Sequence, residues 1–176
     1  MTRKLQAEQP ERPSPDSAYL VMAVAGEREH LAPLLKIACA LAGARAGKVL
    51  LLALTPEAGR PKWLSKAEKI CPPPAEVQIQ VEHSGYNNME KVILEAIRMA
   101  SPDLLLLSWQ DSSGRGHHLL SPNLDRVMQK VSCDVAVVQA RKLKKIERVL
   151  VPMAGGPNAA LALEMALALS PEAQIT

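Results

Sequence analysis

Aromatic residues are nearly absent from this 176-residue chain, which contains no Phe and only 2% aromatic side chains. Hydrophobic residues still make up 48% of the sequence, so its core must be built mainly from Leu, Val, Ile, Ala and Met. Charged residues make up 22%, an average globular value that argues against a wholly disordered chain. An excess of positive charge is also lacking, because a net charge of +3 is too small to predict a nucleic-acid partner.

Long hydrophobic runs are missing too. No stretch approaches the ~20 apolar residues that a membrane-spanning helix needs. Residues 1–17 are polar and contain three prolines, without the apolar segment of a signal peptide. We therefore interpret residues 1–17 as a disordered lead-in and expect a cytoplasmic protein.

Cysteine is scarce and irregularly placed, at Cys39, Cys71 and Cys133. These spacings match neither a disulfide framework nor a zinc site, so they predict buried free thiols. His117 and His118 are adjacent in a polar loop, where a metal pair is the alternative to a solvated loop; we predict no metal site. No pair of carboxylates is placed for acid–base chemistry and no serine has a Gly-x-Ser-x-Gly context, so no catalytic residue is predicted.

Short apolar runs alternate with segments of helical periodicity along the chain. The runs at 19–24, 49–54, 104–107 and 135–138 predict buried strands, and residues 31–41, 89–100 and 122–131 predict helices, with Asn87 or Asn88 capping the second. Residues 77–82 instead alternate between apolar and polar, which is typical of a strand at a sheet edge. This pattern predicts an α/β fold with a doubly wound parallel five-stranded sheet of order 3-2-1-4-5.

The pattern restarts after the basic segment 141–145. Residues 148–155 resemble residues 19–26, and the apolar helices that follow also correspond. We therefore divide the chain into a lead-in (1–17), a first domain (18–140), a linker (141–145) and a truncated second copy (146–176) made of one strand and one helix.

Several segments together carry a family resemblance. They are the first strand with its glycine turn, the strand Asp103–Leu107, the segment Ser132–Val138, and the later segment Val151–Asn158. In this order they resemble the universal stress protein family, over residues 19–139 and again over 146–169. The strongest likeness is to tandem domains in the cytosolic tails of cation/proton antiporters and amino-acid permeases. The resemblance implies the fold shared with adenine nucleotide alpha hydrolases.

The resemblance also implies a nucleotide site after strands one and four. ATP-binding relatives have a Gly-x2-Gly-x9-Gly-Ser/Thr pattern, and this chain keeps the spacing with Ser108, Asp111, Ser121 and Pro122 at its four positions. Ala25 stands where those relatives have an acidic residue. Asp111 adds a charge that repels phosphate, and Pro122 removes a backbone donor. The remaining pocket candidates are Gly26, Trp109, Gly114 and Gly116. Trp109 either stacks on a purine or caps the core rim, and the two later glycines offer an alternative anion nest.

The turn Gly155-Gly156-Pro157-Asn158 is a second candidate site. Two glycines followed by an Asn before a helix are typical of an anion-binding turn. A plain tight turn with a capping Asn explains the same residues.

These observations lead to one expected function and two alternatives. We expect a non-catalytic regulatory or interaction domain with no cofactor, and the resemblance implies the cytosolic tail of a membrane transporter as its setting. A stress sensor that binds ATP or AMP is the first alternative, and a nucleotide hydrolase or transferase the second. Because strand 134–138 is an apolar edge, we expect pairing there with a second universal stress protein domain or in a homodimer.

Overall fold

The computed structural model describes residues 18–25, 31–55, 64–65, 67, 69–70, 76–83, 88–108, 122–140, 143, 146–152, 156, 158–170 and 174–175. Its longer strands are β1 (Leu20–Ala25), β2 (Lys48–Thr55), β3 (Glu76–His83), β4 (Leu104–Ser108) and β5 (Asp134–Val138). The helices between them are α1 (Leu31–Gly43), α2 (Met89–Ala100) and α3 (Pro122–Lys130). A shorter unit follows, with strand β6 (Arg148–Val149), helix α4 (Asn158–Leu169) and strand β7 (Gln174–Ile175).

The five longer strands form one parallel sheet of order β3-β2-β1-β4-β5, which confirms the predicted fold class. β3 lies at one edge, as its alternating pattern predicted. Val77, Ile79 and Val81 pack against the core, whereas Gln78 and Gln80 are exposed on the other side of the strand. Alternate side chains point to opposite faces of a strand, so β3 covers the core with one face and meets water with the other.

The sheet separates two hydrophobic layers. Val21, Ala23 and Ala25 of β1 point into the layer that contains α1, which we call the α1 face. Met22 and Val24 point into the layer that contains α2 and α3, which we call the α2 face. β2 and β4 are likewise divided between the two layers, and their apolar residues are nearly all buried. Continuous apolar runs form these strands because helices cover both faces.

The strands are tied together at their amino ends. The Asp103 carboxylate accepts a hydrogen bond from the Leu20 amide at 2.8 Å, and the Asp103 amide donates to the Leu20 carbonyl at 3.0 Å. The Asp134 amide donates to the Asp103 carbonyl at 3.2 Å. Asp103 therefore fixes the start of β4 against the starts of β1 and β5.

The second unit differs from its prediction. Its first strand spans only Arg148–Val149, and the helix is followed by β7, a strand that the sequence pattern did not predict. β6 and β7 pair in parallel, so the segment has β-α-β connectivity. Among the described helices of this chain, none is long and apolar enough to cross a membrane.

One local prediction was wrong, and another, the N-cap of α2, was confirmed in position only. Cys39 is disulfide-bonded, so the expectation of three free thiols fails there, although Cys133 is free. Long sequence spacing does not prevent a bond, because folding alone sets the distance between two cysteines. Asn88 occupies the N-cap position of α2, but its side chain makes no capping hydrogen bond.

Candidate functional site

The predicted nucleotide site begins where β1 and β4 end side by side. Val24 is paired with Leu107, so Ala25 and Ser108 follow on adjacent strands. The Ala25 side chain belongs to the α1 face, and the alternation of β4 places Ser108 on that same face. Ala25 is 2% exposed and Ser108 is half-buried. The two positions that the sequence assigned to one site are therefore neighbours.

The chemistry at these two strand ends is sparse. Ala25 has neither charge nor a hydrogen-bonding side chain, and Ser108 contributes a single hydroxyl. Gly26, Trp109, Asp111, Gly114, Gly116 and Ser121 lie outside the described residues, and so does Gly155 of the second candidate. Pro122 is the first residue of α3, as its sequence position predicted. Because proline has no backbone N–H, α3 lacks one amide donor at its first position.

An ion-pair cluster holds α3 against α2. The Lys130 ammonium donates to the Glu90 carboxylate at 2.6 Å, and the Arg126 guanidinium lies 3.7 Å from it. The hydrogen bond from Lys130, together with the charges of Lys130 and Arg126, lowers the pKa of Glu90. Val127 of α3 is fully buried below this cluster. Packing and charge together thus fix the helix that follows the candidate nucleotide loop.

The second candidate site lies before α4. Gly156 has a φ of +102°, a conformation that side chains rarely adopt, and its carbonyl accepts a hydrogen bond from the Ala159 amide at 3.3 Å. Asn158 is the first residue of α4 rather than the residue before it. Gly156 and Asn158 are both exposed. The turn is well explained by its own hydrogen bond, and anion binding there stays a prediction.

The structure contains a cavity that the sequence did not predict. It has a volume of about 530 Å³ and lies between α1 and α4, at the end of the sheet opposite the nucleotide positions. Leu104 and Leu161 are among its apolar walls, and Tyr19, Arg45 and Glu164 are its polar residues. The sequence signal was the composition of α4, which is apolar around most of its circumference and so requires more than one packing partner.

The polar residues of this cavity contact one another. The Arg45 guanidinium lies 4.3 Å from the centroid of the Tyr19 ring and forms an ion pair with Glu164. Burial raises the pKa of Tyr19, and the nearby Arg45 charge partly offsets that rise. At its ordinary value or above, the Tyr19 hydroxyl stays protonated at neutral pH. The cluster is therefore a cation held between an aromatic face and a carboxylate.

The described residues offer little for metal binding or nucleophilic chemistry. Within the part of the chain that the structure describes, no three His, Cys, Asp or Glu side chains converge to hold a metal ion. Burial raises the pKa of the Cys133 thiol, which disfavours the reactive thiolate.

Comparison with known proteins identifies the fold family. A family model described as "Universal stress protein family" matches residues 20–139. The chain belongs to the universal stress protein family. This universal stress protein keeps the family's strand order, and the family match ends just after β5, so β6, α4 and β7 lie beyond it. No curated protein matches the chain significantly.

Solved universal stress proteins share this architecture. A universal stress protein from Archaeoglobus fulgidus is 17% identical, with a TM-score of 0.51, and the match covers 68% of this chain and 96% of that one. A universal stress protein crystallised in complex with cAMP is 17% identical, with a TM-score of 0.55, and the match covers 69% of this chain and 98% of that one. At this identity the likeness establishes the fold alone.

Proposed function

We propose that this universal stress protein is a non-catalytic regulatory or interaction domain with no tightly bound nucleotide. The observation that carries the proposal is the position of Ala25 and Ser108 next to the Val24–Leu107 pair, at the strand ends where a nucleotide would sit. An acidic side chain at the end of β1 would orient a nucleotide, and the buried Ala25 has no group to do so. The sequence supports the same conclusion, because Asp111 and Pro122 remove further phosphate contacts.

Calorimetry with Mg-ATP tests this proposal. We expect no binding tighter than about millimolar, because two lost charge-assisted bonds and a repulsive carboxylate weaken a micromolar site about a thousandfold. The matched variant carries Ala25→Asp, Ser108→Gly, Asp111→Gly, Ser121→Gly and Pro122→Ser together, and it should gain affinity. Micromolar binding of ATP by the unmodified chain would overturn the proposal.

A nucleotide sensor is the second candidate. The observation in its favour is the related structure that was crystallised with cAMP, which shares this fold. Titrations with AMP and cAMP separate the two functions, because a sensor that lacks triphosphate contacts would still bind a monophosphate. Binding of either nucleotide at micromolar concentrations would favour the sensor.

The interaction role is proposed to use the outer edge of β5. β5 pairs with β4 on one side, and no other described strand pairs with its far side. Its Val137 side chain is 36% exposed, so the edge combines unpaired backbone groups with apolar surface. We propose pairing there with a second universal stress protein domain or a second copy of the chain. The β-α-β connectivity of residues 148–175 supports the assignment of a second copy in the same polypeptide.

Light scattering tests whether the chain associates through the outer edge of β5. Val137→Lys should shift the chain toward the monomer, because a charged edge strand resists pairing. Met99→Lys is the control, since Met99 is 74% exposed and belongs to helix α2 rather than to the edge strand β5. A stable monomer for the unmodified full-length protein, or equal effects of both variants, would contradict the proposal. A cytosolic location, in a membrane transporter or beside one, is part of the same proposal.

A further inference from the structure

The two faces of the sheet are covered differently by the family domain. On the α2 face, α2 and α3 both contribute buried residues to the core. On the α1 face, α1 packs on β1, β2 and β4, and Leu64 and Ala67 complete the layer beside it. Ala136 and Val138 of β5 also point to the α1 face but are only half-buried. Among the described residues, the family domain therefore places one α-helix on this face and two on the other.

Helix α4 adds to the cover of the α1 face. Met165, Ala168 and Leu169 pack against the same hydrophobic layer as α1, and Ala166 is only 3% exposed. The helix contacts α1 directly, and small residues on both sides permit a close approach: Ala40 on α1, Ala44 just after α1, and Ala168 on α4. The Leu104 side chain of β4 lines the cavity that α4 closes.

We infer that α4 is a cover helix for the α1 face of the family domain, held there by apolar packing and by the Arg45–Glu164 ion pair. α4 lies outside the family match, yet it completes the helical layer of the matched domain. The partner that this surface fits is a segment of the same chain. The inference does not depend on whether a nucleotide binds at the other end of the sheet.

Cover by α4 has a measurable consequence. When α4 is displaced, Ala166 and Met165 lose their contacts, and the cavity wall formed by Leu104 opens to water. Because apolar surface then meets solvent, both α1 and α4 should lose protection against hydrogen exchange. If α4 made no packing contacts and were attached only through the residues before it, its amides would exchange rapidly in the wild type and in every variant.

Ala166→Glu in the full-length chain tests the packing. A carboxylate at this buried position should lower the unfolding temperature by about 5–10 °C and speed amide exchange in α4 at least tenfold. The control is Ala160→Glu, which makes the same change at an exposed position of the same helix. It should leave the unfolding temperature within about 1 °C of the wild type. Equal effects of the two variants would overturn the inference.

A charge exchange tests the ion pair without touching the core. Arg45→Glu and Glu164→Arg alter side chains that are 42% and 55% exposed, so neither variant should fail to fold. Each should speed exchange in α4 about two- to fivefold, the factor expected from an exposed ion pair. The double variant restores opposite charges and should slow exchange relative to the single variants, although it does not restore the contact of Arg45 with the Tyr19 ring. Single variants without effect, or a double variant as fast as the sum of the singles, would show that α4 is not held at this site.

Discussion

Two of the β-α-β units in this chain have the same connectivity and very different burial. The first unit, β1–α1–β2, pairs six residues of each strand, and most of its strand side chains are buried. The second unit, β6–α4–β7, pairs two residues of each strand, and Leu150 just after β6 is 76% exposed. In the first unit, the amide of Lys48 at the start of β2 donates a hydrogen bond to the carbonyl of Tyr19, just before β1. In the second unit, the hydroxyl of Ser170, just after α4, donates to the carbonyl of Ile146, which precedes β6.

The difference shows that β-α-β connectivity by itself does not produce long, buried strands. β1 and β2 are long because β4 and β3 extend the sheet on either side, and helices cover both faces. β6 and β7 form a sheet with no other described strand. A two-stranded sheet cannot bury its own apolar surface, so its strands stay short. Neighbouring strands, rather than the local sequence, therefore decide how much of a strand forms.

The largest expected effect comes from truncating a leucine in each unit. Leu51 in β2 is fully buried, and Leu51→Ala should lower the free energy of unfolding by about 3–4 kcal/mol, because it leaves a cavity. Leu163→Ala in α4 should cost about 1 kcal/mol or less, since Leu163 is 37% exposed. Urea denaturation of both variants measures the difference. Equal losses would mean that the second unit is as tightly packed as the first.

An intermediate effect is expected at the turn of the first unit. A Cβ added at Gly47 would lie 2.2 Å from the Tyr19 carbonyl oxygen, so Gly47→Ala must shift either the backbone that joins α1 to β2 or the backbone just before β1. We expect a loss of about 2–3 kcal/mol in thermal or urea unfolding. Gly43→Ala is the control, because a Cβ there has no atom within 4 Å and should stabilise α1 by about 0.5–1 kcal/mol. A tolerated Gly47→Ala would show that this contact does not limit the first unit.

The smallest expected effect concerns the helices that support the first unit from the α2 face. The pKa of Glu90 is lowered in the folded state, so its ion pairs stabilise the protein above the ordinary pKa of Glu near 4.3. That stabilisation is lost as the pH falls through the lowered value. Glu90→Gln should therefore unfold at a lower temperature than the wild type at pH 7, and the gap should close below about pH 4. Glu95→Gln, which removes a more exposed pair with Arg98, should change little. If the difference in unfolding temperature between Glu90→Gln and the wild type persists at pH 3, it comes from packing rather than from the ion pairs.

Much of the first domain was predictable because each signal was local. The apolar run of β4 and the alternation of β3 gave the strands and the edge, and the proline at Pro122 gave the start of α3. Ala25 and Ser108 were expected at one site because the carboxyl ends of adjacent parallel strands meet, and their register agrees.

Other features depended on contacts between distant segments. The bond at Cys39 and the strand β7 had no local sequence signal. The apolar composition of α4 indicated that the helix needs packing partners, but it did not place the cavity beside Arg45 and Glu164. Asn88 is a smaller example. Its residue type favoured an N-cap and it occupies that position, but its side chain does not form the capping hydrogen bond.

The sequence by itself determined the order of the elements, the strand order of the sheet and the polar edge at β3, because hydrophobic periodicity and turn residues are local properties. The tertiary structure decided where α4 lies. An apolar helix can pack on any complementary surface, and its own residues do not say which one. That choice was made by the small residues at the end of α1, by the exposed side of the layer around Leu104, and by an arginine placed opposite Glu164.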